Sequence, residues 1–450
     1  MFRKIILIML GLIQAATAAD LIQIYKDALK NDPQYLQALA QQLSNIQGVP
    51  IQLAALLPNA GFVFTPYYAK TDATGSAVTV TTLPDGSSAV GSVETRGYGA
   101  MLNASQPVFD FVKVNQYMVA KDVARQAQAM INAAGQDLMV RASKAYLALA
   151  ADEENLIYIR ALRSAYEKQW TTINAQYHDG YKSIIEVNIA RASYEKAKAK
   201  VMDFEIQKMR DQEQLHIITN QYYPRVLTLK ATIPLIYPNP LKVDDWVRLT
   251  IGQNWRIRSA EFARRAALRR IKQQWGGHLP TLYWQNSYNV AHAINSGDAT
   301  SPSTGTNDYT TLITNLALSV PIYQGGGVEA QVVKAKYDLD YAVQMLQSER
   351  LNAMDLAREN FLSLVARIDK IKVDQAWVKA TASSVEGMQE SYKLGTERLT
   401  NVLIQRENLQ VAQSAYTADR YLYVTHFLLL KQASGLLNCQ DLMVVNGWLG

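Results

Sequence analysis

Cysteine is almost absent: Cys439 is alone among 450 residues, so no intramolecular disulfide can brace the fold and stability must come from packing or assembly. The thiol is expected to fill a small apolar space in the interior. Histidine is sparse, and His178, His216, His278, His292 and His426 show none of the spacings that gather a metal. Neither a nucleotide-binding loop nor a nucleophile elbow occurs, so no catalytic, cofactor or metal site is expected and the chain does not read as an enzyme. Gly325-Gly326-Gly327 lacks the surrounding fingerprint of a phosphate loop and is expected to ease a strand-to-helix junction. Excess charge is missing too. Without Arg3 and Lys4, the remaining 43 Lys and Arg of the 45 exceed the 39 Asp and Glu by only four, too mild a balance for a nucleic-acid partner. Long apolar runs are lacking beyond residue 19. The best candidate, Phe427 to Leu437, is interrupted by Lys431, which excludes helical membrane spans but not a β-barrel, whose short alternating strands escape hydropathy.

The start of the chain carries what the rest lacks. Arg3 and Lys4 precede an apolar run from Ile5 to Ile13, and Ala16-Thr17-Ala18 offers small residues at the spacing a signal peptidase needs. A secretory signal over residues 1–19 is expected, with the mature chain starting at Ala19 or Asp20. The run is too short to span a bilayer, which takes ~20 residues. No cysteine follows to take a lipid anchor.

The strongest positive feature is internal duplication. GYGAMLNASQPVFDF from Gly97 and TLITNLALSVPIYQG from Thr311 align at an offset of 214, placing Ser105 on Ser319, Pro107 on Pro321 and Phe109 on Tyr323. YHDGYKSIIEVNIARASYE from Tyr177 and YKLGTERLTNVLIQRENLQ from Tyr392 align at 215, placing Gly180 on Gly395, Val187 on Val402 and Arg191 on Arg406. Leu57-Pro58 and Leu279-Pro280 align at 222. Three landmarks in one order define a duplicated unit much longer than a solenoid repeat. Residues 20–217 form the first repeat and 244–436 the second, with a linking segment at 218–243 and a tail at 437–450.

Within each repeat the period changes twice. Helical spacing runs from Asp20 to about Leu56, with Pro33 expected to kink that helix rather than abolish it, and again from about Asp244 to Trp275. Strand alternation follows, over 61–107 and 281–321. Leu282, Trp284, Tyr288 and Val290 share one face, while Tyr283, Gln285, Ser287 and Asn289 share the other. Tyr98, Ala100, Leu102 and Ala104 alternate in the same way before Pro107, as do Leu312, Leu316, Leu318 and Val320 before Pro321. The Gly/Ser/Thr-rich stretches DATGSAVTVTTLPDGSSAV and NSGDATSPSTGTN between paired strands read as loops. Helical period then returns at 110–217 and 328–432. From Ala120 through Leu138, Leu149, Ile159 and Tyr166 to Tyr177, small and apolar residues recur every three or four positions, with one gap at Asp152. That is a coiled-coil seam, and the helix from Asp110 to Tyr177 would be about 100 Å long. Each long helix returns through a turn at Gly180 or Gly395. The proline-rich segment NQYYPRVLTLKATIPLIYPNP and the tail after Leu437 are expected to be strand-and-turn.

Four strands are too few to close a barrel, and an open edge cannot face lipid, so the strands must be pooled with other copies. Two copies would give eight strands with a filled interior, whereas three give twelve and leave a lumen. At this point the chain resembles the TolC family of outer-membrane export channels over essentially its whole mature length. The resemblance is carried by SQPVFDF and SVPIYQGGG at the strand-to-helix junctions, with Pro107 and Pro321, and by the two tip motifs. Those motifs are Tyr177-His178-Asp179-Gly180 leading to Glu186-Val187, and Tyr392-Lys393-Leu394-Gly395 leading to Asn401-Val402.

The resemblance implies an α+β membrane protein: a long antiparallel α-helical coiled-coil barrel in the periplasm joined to an outer-membrane β-barrel. Each protomer of a homotrimer would give four of twelve strands. It further implies docking to an inner-membrane transporter through a periplasmic adaptor, for multidrug efflux, type I protein secretion or both. The tip closes the tunnel in the family, and the matching gate residues are Tyr177, Gly180, Glu186, Tyr392, Gly395, Glu397, Arg398, Asn401 and Ile404. One departure stands out. Family members often place two acids a turn apart in the second tip, where this chain has Asn401 and Ile404. A periplasmic adaptor, or a structural coiled-coil protein, would share the long hairpins but would not need two strand pairs with a lipid-facing side.

Overall fold

The computed structural model describes residues 18–72, 92–297 and 305–450. All but the last two residues of the expected signal segment, and most of the two expected loops, lie outside the described residues. The chain divides into two compact units, one made of Met1–Leu43, Gln126–Glu261 and Met345–Gly450, the other of Ser44–Arg125 and Phe262–Gln344.

The second unit holds an antiparallel sheet in the order β1-β2-β3-β4, with β1 at Asn59–Asp72, β2 at Ser92–Phe109, β3 at Thr281–Gly297 and β4 at Gly305–Ser319. At 14 to 18 residues the strands are longer than the ~10 residues that cross a bilayer. Register decides what each face is. Phe62 stands opposite Leu102, Leu102 opposite Tyr288 and Tyr288 opposite Leu312, so one apolar row crosses all four strands. The row of Phe64, Ala100, Val290 and Thr310 and the pairs Trp284/Leu316 and Leu282/Leu318 lie on the same side. The other side carries Asn59, Ser105, Gln285 and Asn315 in one row and Asn103 and Ser287 in another. Leu312, Leu316 and Leu318 are each 65% exposed, because no neighbour among the described residues covers them. Both outer strands leave one hydrogen-bonding edge without a partner strand in the described sheet. Pro107 sits in β2 at an irregularity of the β2–β3 register, where a missing N–H costs least. Pro321 follows the end of β4.

Helices α1 (Leu21–Asn31), α2 (Pro33–Ile46) and α3 (Gly48–Ala54) occupy the span expected to be one kinked helix. Pro33 breaks it instead. It opens α2 as a first-turn proline, while the Asp32 carboxylate accepts from Tyr35 N–H at 2.5 Å and pairs with Arg141 at 2.8 Å. The corresponding stretch of the second repeat also splits, into α6 (Val243–Gln253) and α7 (Trp255–Trp275). Asn254 accepts from the N–H groups of Arg256 and Ile257 and donates to Ala433 O at 2.8 Å, binding the start of α7 to the C-terminal part of the chain. Asn31 similarly donates to Thr219 O.

The long helices are α4 (Phe111–His178) with α5 (Ile184–Thr219), and α8 (Gly327–Lys393) with α9 (Leu399–Ala433). In the first unit the seam of α4 is buried at Leu138, Leu149, Ile159, Tyr166 and Ile173. Its gap, Asp152, is buried as well. Burial, then the neighbouring Asp211 carboxyl, push the Asp152 pKa up to about 7, with Lys208 opposing.

The core of this unit gathers Leu21 and Ile24 of α1, Leu138 and Tyr146 of α4, Leu215 of α5, Tyr423 and Leu428 of α9, and the C-terminal residues Leu442, Val445 and Trp448. The proline-rich linking segment is fixed by tyrosines. Tyr146 donates to Leu227 O at 2.8 Å, while Tyr421 and Tyr423 accept from the N–H groups of Leu229 and Ile236. Bridges pair Ala19 with Val226 and Leu229 with Leu449.

Two expectations for the tail need correction. Residues Cys439–Gly447 form a helix, α10, rather than strand and turn. Asn438 and Asp441 close a reciprocal capping box, which satisfies the first N–H groups of even a short helix. Cys439 is exposed, not buried, because it is the first residue of α10, at the open end of that helix rather than on its packed face.

Candidate functional site

The candidate site is the pair of turns joining α4 to α5 and α8 to α9. Both are built in the same way. At the first, Gly180 N–H reaches Tyr177 O at 3.0 Å and Tyr181 N–H reaches Gln176 O at 2.8 Å; at the second, Gly395 N–H reaches Tyr392 O at 3.1 Å and Thr396 N–H reaches Ser391 O at 3.0 Å. These are Schellman closures, which need a left-handed residue after the helix. Gly180 and Gly395 supply it with φ of +81° and +77°.

The chain then re-enters a helix differently at each tip. Ser183 caps α5: its Oγ accepts from Glu186 N–H at 3.3 Å, and Glu186 Oε2 accepts from Ser183 N–H at 3.3 Å. The acid at Glu186 is therefore a capping-box carboxylate. At α9 the corresponding positions are Arg398 and Asn401. Arg398 is the N-cap and makes no side-chain cap bond, while Asn401 donates to Glu397 Oε2 at 2.8 Å.

A lysine joins the tips. Lys182 Nζ lies 3.1 Å from Glu186 Oε1 and over the ring of Tyr392, 4.8 Å from its centroid. Burial opposes its charge, but the neighbouring Tyr392 and Glu186 outweigh that and hold its pKa above the usual lysine value. Beneath, Tyr392 packs with Val187, Leu399 and Leu403 in a cluster that also takes in Ile173 and Tyr166, and Tyr166 donates to Leu403 O at 2.8 Å. Farther along, Lys200 and Lys196 of α5 hold Glu407 of α9 at 2.7 and 2.9 Å. Bonds from Lys200, then Lys196, keep the Glu407 carboxyl below its ordinary pKa.

The structure thus joins Glu186 to Tyr392, and Glu397 to Asn401. Arg398 and Ile404 are exposed, and Arg398 makes no ion pair among the described residues. Tyr177, Gly180 and Gly395 are exposed as well. Lys182 is the residue that reading the sequence missed. A signal was present: at the repeat offset of 215, Lys182 falls on Glu397, so equivalent positions carry opposite charges. The tips also present uncovered apolar side chains, with Tyr181 81%, Ile185 66% and Leu394 80% exposed. At the strand-to-helix junctions, Asp110 accepts from Lys113 N–H at 3.0 Å, while Gly325 and Gly326 take positive φ before α8. Among the described residues no His, Cys, Asp or Glu cluster could hold a metal, and no helix is long and apolar enough to cross a membrane.

The chain matches the family model described as outer membrane efflux protein over residues 24–221 and 246–436. It is 26% identical to the outer membrane protein TolC of Escherichia coli over 445 residues, covering 98% of this chain and 87% of that one. It is 23% identical to the proteases secretion protein PrtF of Dickeya chrysanthemi, covering 96% and 92%. The crystal structure of the Campylobacter jejuni CmeC outer membrane channel superposes with a TM-score of 0.75 at 18% identity, over 92% of this chain and 85% of that one.

Proposed function

The chain belongs to the outer membrane efflux protein family and is an outer-membrane export channel, and we propose that it works as a homotrimer whose twelve pooled strands form the membrane pore. The observation that carries this reading is the described sheet: four strands, one face crossed by apolar rows, and two edges left unpaired. Unpaired edges are intolerable in lipid. Pairing β4 of one copy with β1 of the next satisfies them, and three copies leave a lumen lined by the polar side. The long helices continue the duct through the periplasm. A passive duct needs a motor, and the exposed apolar side chains at the tips suit docking by a periplasmic adaptor that links it to an inner-membrane transporter. Cargo, whether small molecules or secreted protein, is then set by that transporter. A periplasmic adaptor would have no use for the apolar sheet face. The protein purified in detergent is expected to have the mass of three chains and to form conducting channels in planar bilayers; a well-folded monomer without conductance refutes the reading.

The tips are proposed as the periplasmic entrance. Among the described residues nothing crowds the position of a Cβ at Gly180 or Gly395, so a first side-chain carbon meets no clash there. It meets backbone strain instead, about 1–2 kcal/mol for each non-glycine residue held left-handed. Gly180→Val with Gly395→Val should leave the barrel inserted while deforming both turns and abolishing export. Normal efflux from cells carrying only the double variant would remove the tips from the export path.

A further inference from the structure

The sheet segregates its charge. Among the strand residues whose side chains are described, the charged ones are Lys70, Glu94, Arg96 and Asp308, joined by His292. Register puts all five on the side of Leu102, Tyr288 and Leu312: Lys70 stands opposite Glu94, Tyr68 opposite Arg96, Tyr98 opposite His292 and His292 opposite Asp308. Over the same stretch the other side carries Asn289, Asn295 and Asn307 and no charged residue among those described. All five also lie toward the strand ends away from the helices. From Leu282 to His292 on β3 is about 33 Å along the strand. At the ~40° tilt of a membrane barrel that is about 25 Å across the bilayer, the height of the apolar band such barrels present to lipid. His292 and Asp308 therefore mark the outer boundary of the band, and Arg96 and Lys70 stand beyond it, level with Ile294 and Ser296. A rim surrounded only by water would carry charge on both sides. Charge confined to the lipid side, at the edge of the apolar band, points to a charged layer on that side.

We propose that Lys70 and Arg96 form a binding site for the phosphate groups of lipid headgroups in the outer leaflet of the membrane. The inference rests on the export-channel reading above and identifies what its outer rim touches. The acids nearby do not cancel the two cations. Asp308 is engaged by His292, whose Nδ1 meets Asp308 Oδ1. Glu94 is one carboxylate beside two cations; its contact with Arg96 is long, at 3.4 Å, and its side chain is 35% exposed against 70% for Arg96. Lys70 is exposed and makes no ion pair among the described residues. Aromatic rings support the site. Arg96 lies over Tyr68, 5.3 Å from the ring centroid, and Tyr98 packs against both His292 and Phe64, as tyrosines do where a membrane meets water. Stacking occupies the face of the guanidinium and leaves its N–H edge for a phosphate, which that edge can bind bidentately. One basic residue near an anionic surface supplies roughly fivefold in affinity, so loss of both should weaken lipid binding on the order of 30-fold.

The test uses the purified full-length protein in uncharged detergent. Thermal unfolding is followed while a lipid with a diphosphorylated sugar headgroup (lipid A), the same lipid with its phosphates removed, or inorganic phosphate is added. The phosphorylated lipid should raise Tm, and Lys70→Gln with Arg96→Gln should need on the order of 30-fold more of it for half the effect. The dephosphorylated lipid and free phosphate should not distinguish the two proteins. Lys198→Gln with Lys379→Gln, which removes the same charge from exposed positions on α5 and α8, should bind like the unmodified protein. Should the Lys70/Arg96 double variant fail to assemble, Lys70→Gln alone should still lose roughly fivefold. In planar bilayers under a salt gradient, the unmodified protein and the double variant should share one reversal potential, because neither cation lines the pore. Equal binding of phosphorylated and dephosphorylated lipid, unchanged binding in the variants, or a shifted reversal potential overturns the inference and leaves the channel reading standing. An unmodified protein that does not conduct refutes the channel reading itself.

Discussion

Leu312→Arg should strip the protein from the outer membrane, while Thr311→Arg, one residue away, should leave it there. Leu312 lies in the middle of β4, in the row that carries Phe62, Leu102 and Tyr288 across the sheet. Thr311 points to the other side, opposite Asn289. A cation on the lipid side near the bilayer midplane costs about 2–4 kcal/mol, and each of three copies would bear it. Leu316→Arg, on the same face, should act in the same direction. Fractionation of membranes and the yield of assembled, detergent-resistant protein would report the difference. Equal loss from Thr311→Arg and Leu312→Arg would mean that the apolar row does not face lipid.

Arg420→Met should destabilise the protein by about 3–5 kcal/mol, the cost of leaving one partner of a buried ion pair alone. Arg420 is 2% exposed. Its Nη1 meets Glu154 Oε1 at 2.9 Å, and its Nη2 donates to Leu229 O at 3.2 Å and to Lys230 O. One guanidinium thus ties α4 of the first repeat and the linking segment to α9 of the second. Tyr158 and Thr417 also donate to Glu154 Oε1, so the carboxylate keeps some support when the cation goes. Arg420→Lys should recover little, since an ammonium cannot span three acceptors as a planar fork does. Adding Glu154→Gln to Arg420→Met should restore part of the loss by removing the stranded charge. Denaturant midpoints of the detergent-solubilised protein would measure the series, and a drop of less than about 1 kcal/mol would place the pair among weak surface-like bridges.

Much of this protein was legible before any coordinates because its main signals are local and periodic. Alternation at Leu282, Trp284, Tyr288 and Val290 marks one face of a strand wherever that strand sits, since side chains point to opposite sides in turn. The seam from Ala120 to Tyr177 marks a helix that must bury one stripe. Glycine at 180 and 395, in motifs duplicated at a fixed offset, marks where each long helix must turn back. Strands and long hairpins read in this way set the frame, and the motifs at the strand-to-helix junctions and the two tips, which resemble those of the TolC family, named the fold class and the family.

Tertiary structure decided what depends on residues far apart in sequence. Whether Pro33 kinks or ends a helix turned on Asp32, which caps the next helix and pairs with Arg141. The tail became a helix because Asn438 and Asp441 satisfy its first amides and Leu442, Val445 and Trp448 find a core, which turned Cys439 outward. The gap at Asp152 held a buried carboxyl beside Asp211, invisible to any period because its partner is on the returning helix. Lys182 reads from sequence as one more solvated lysine. It becomes a link between the repeats only when both hairpins bring their turns together, because a single ammonium touches Glu186 and Tyr392 only if the backbones around Gly180 and Gly395 already place them there.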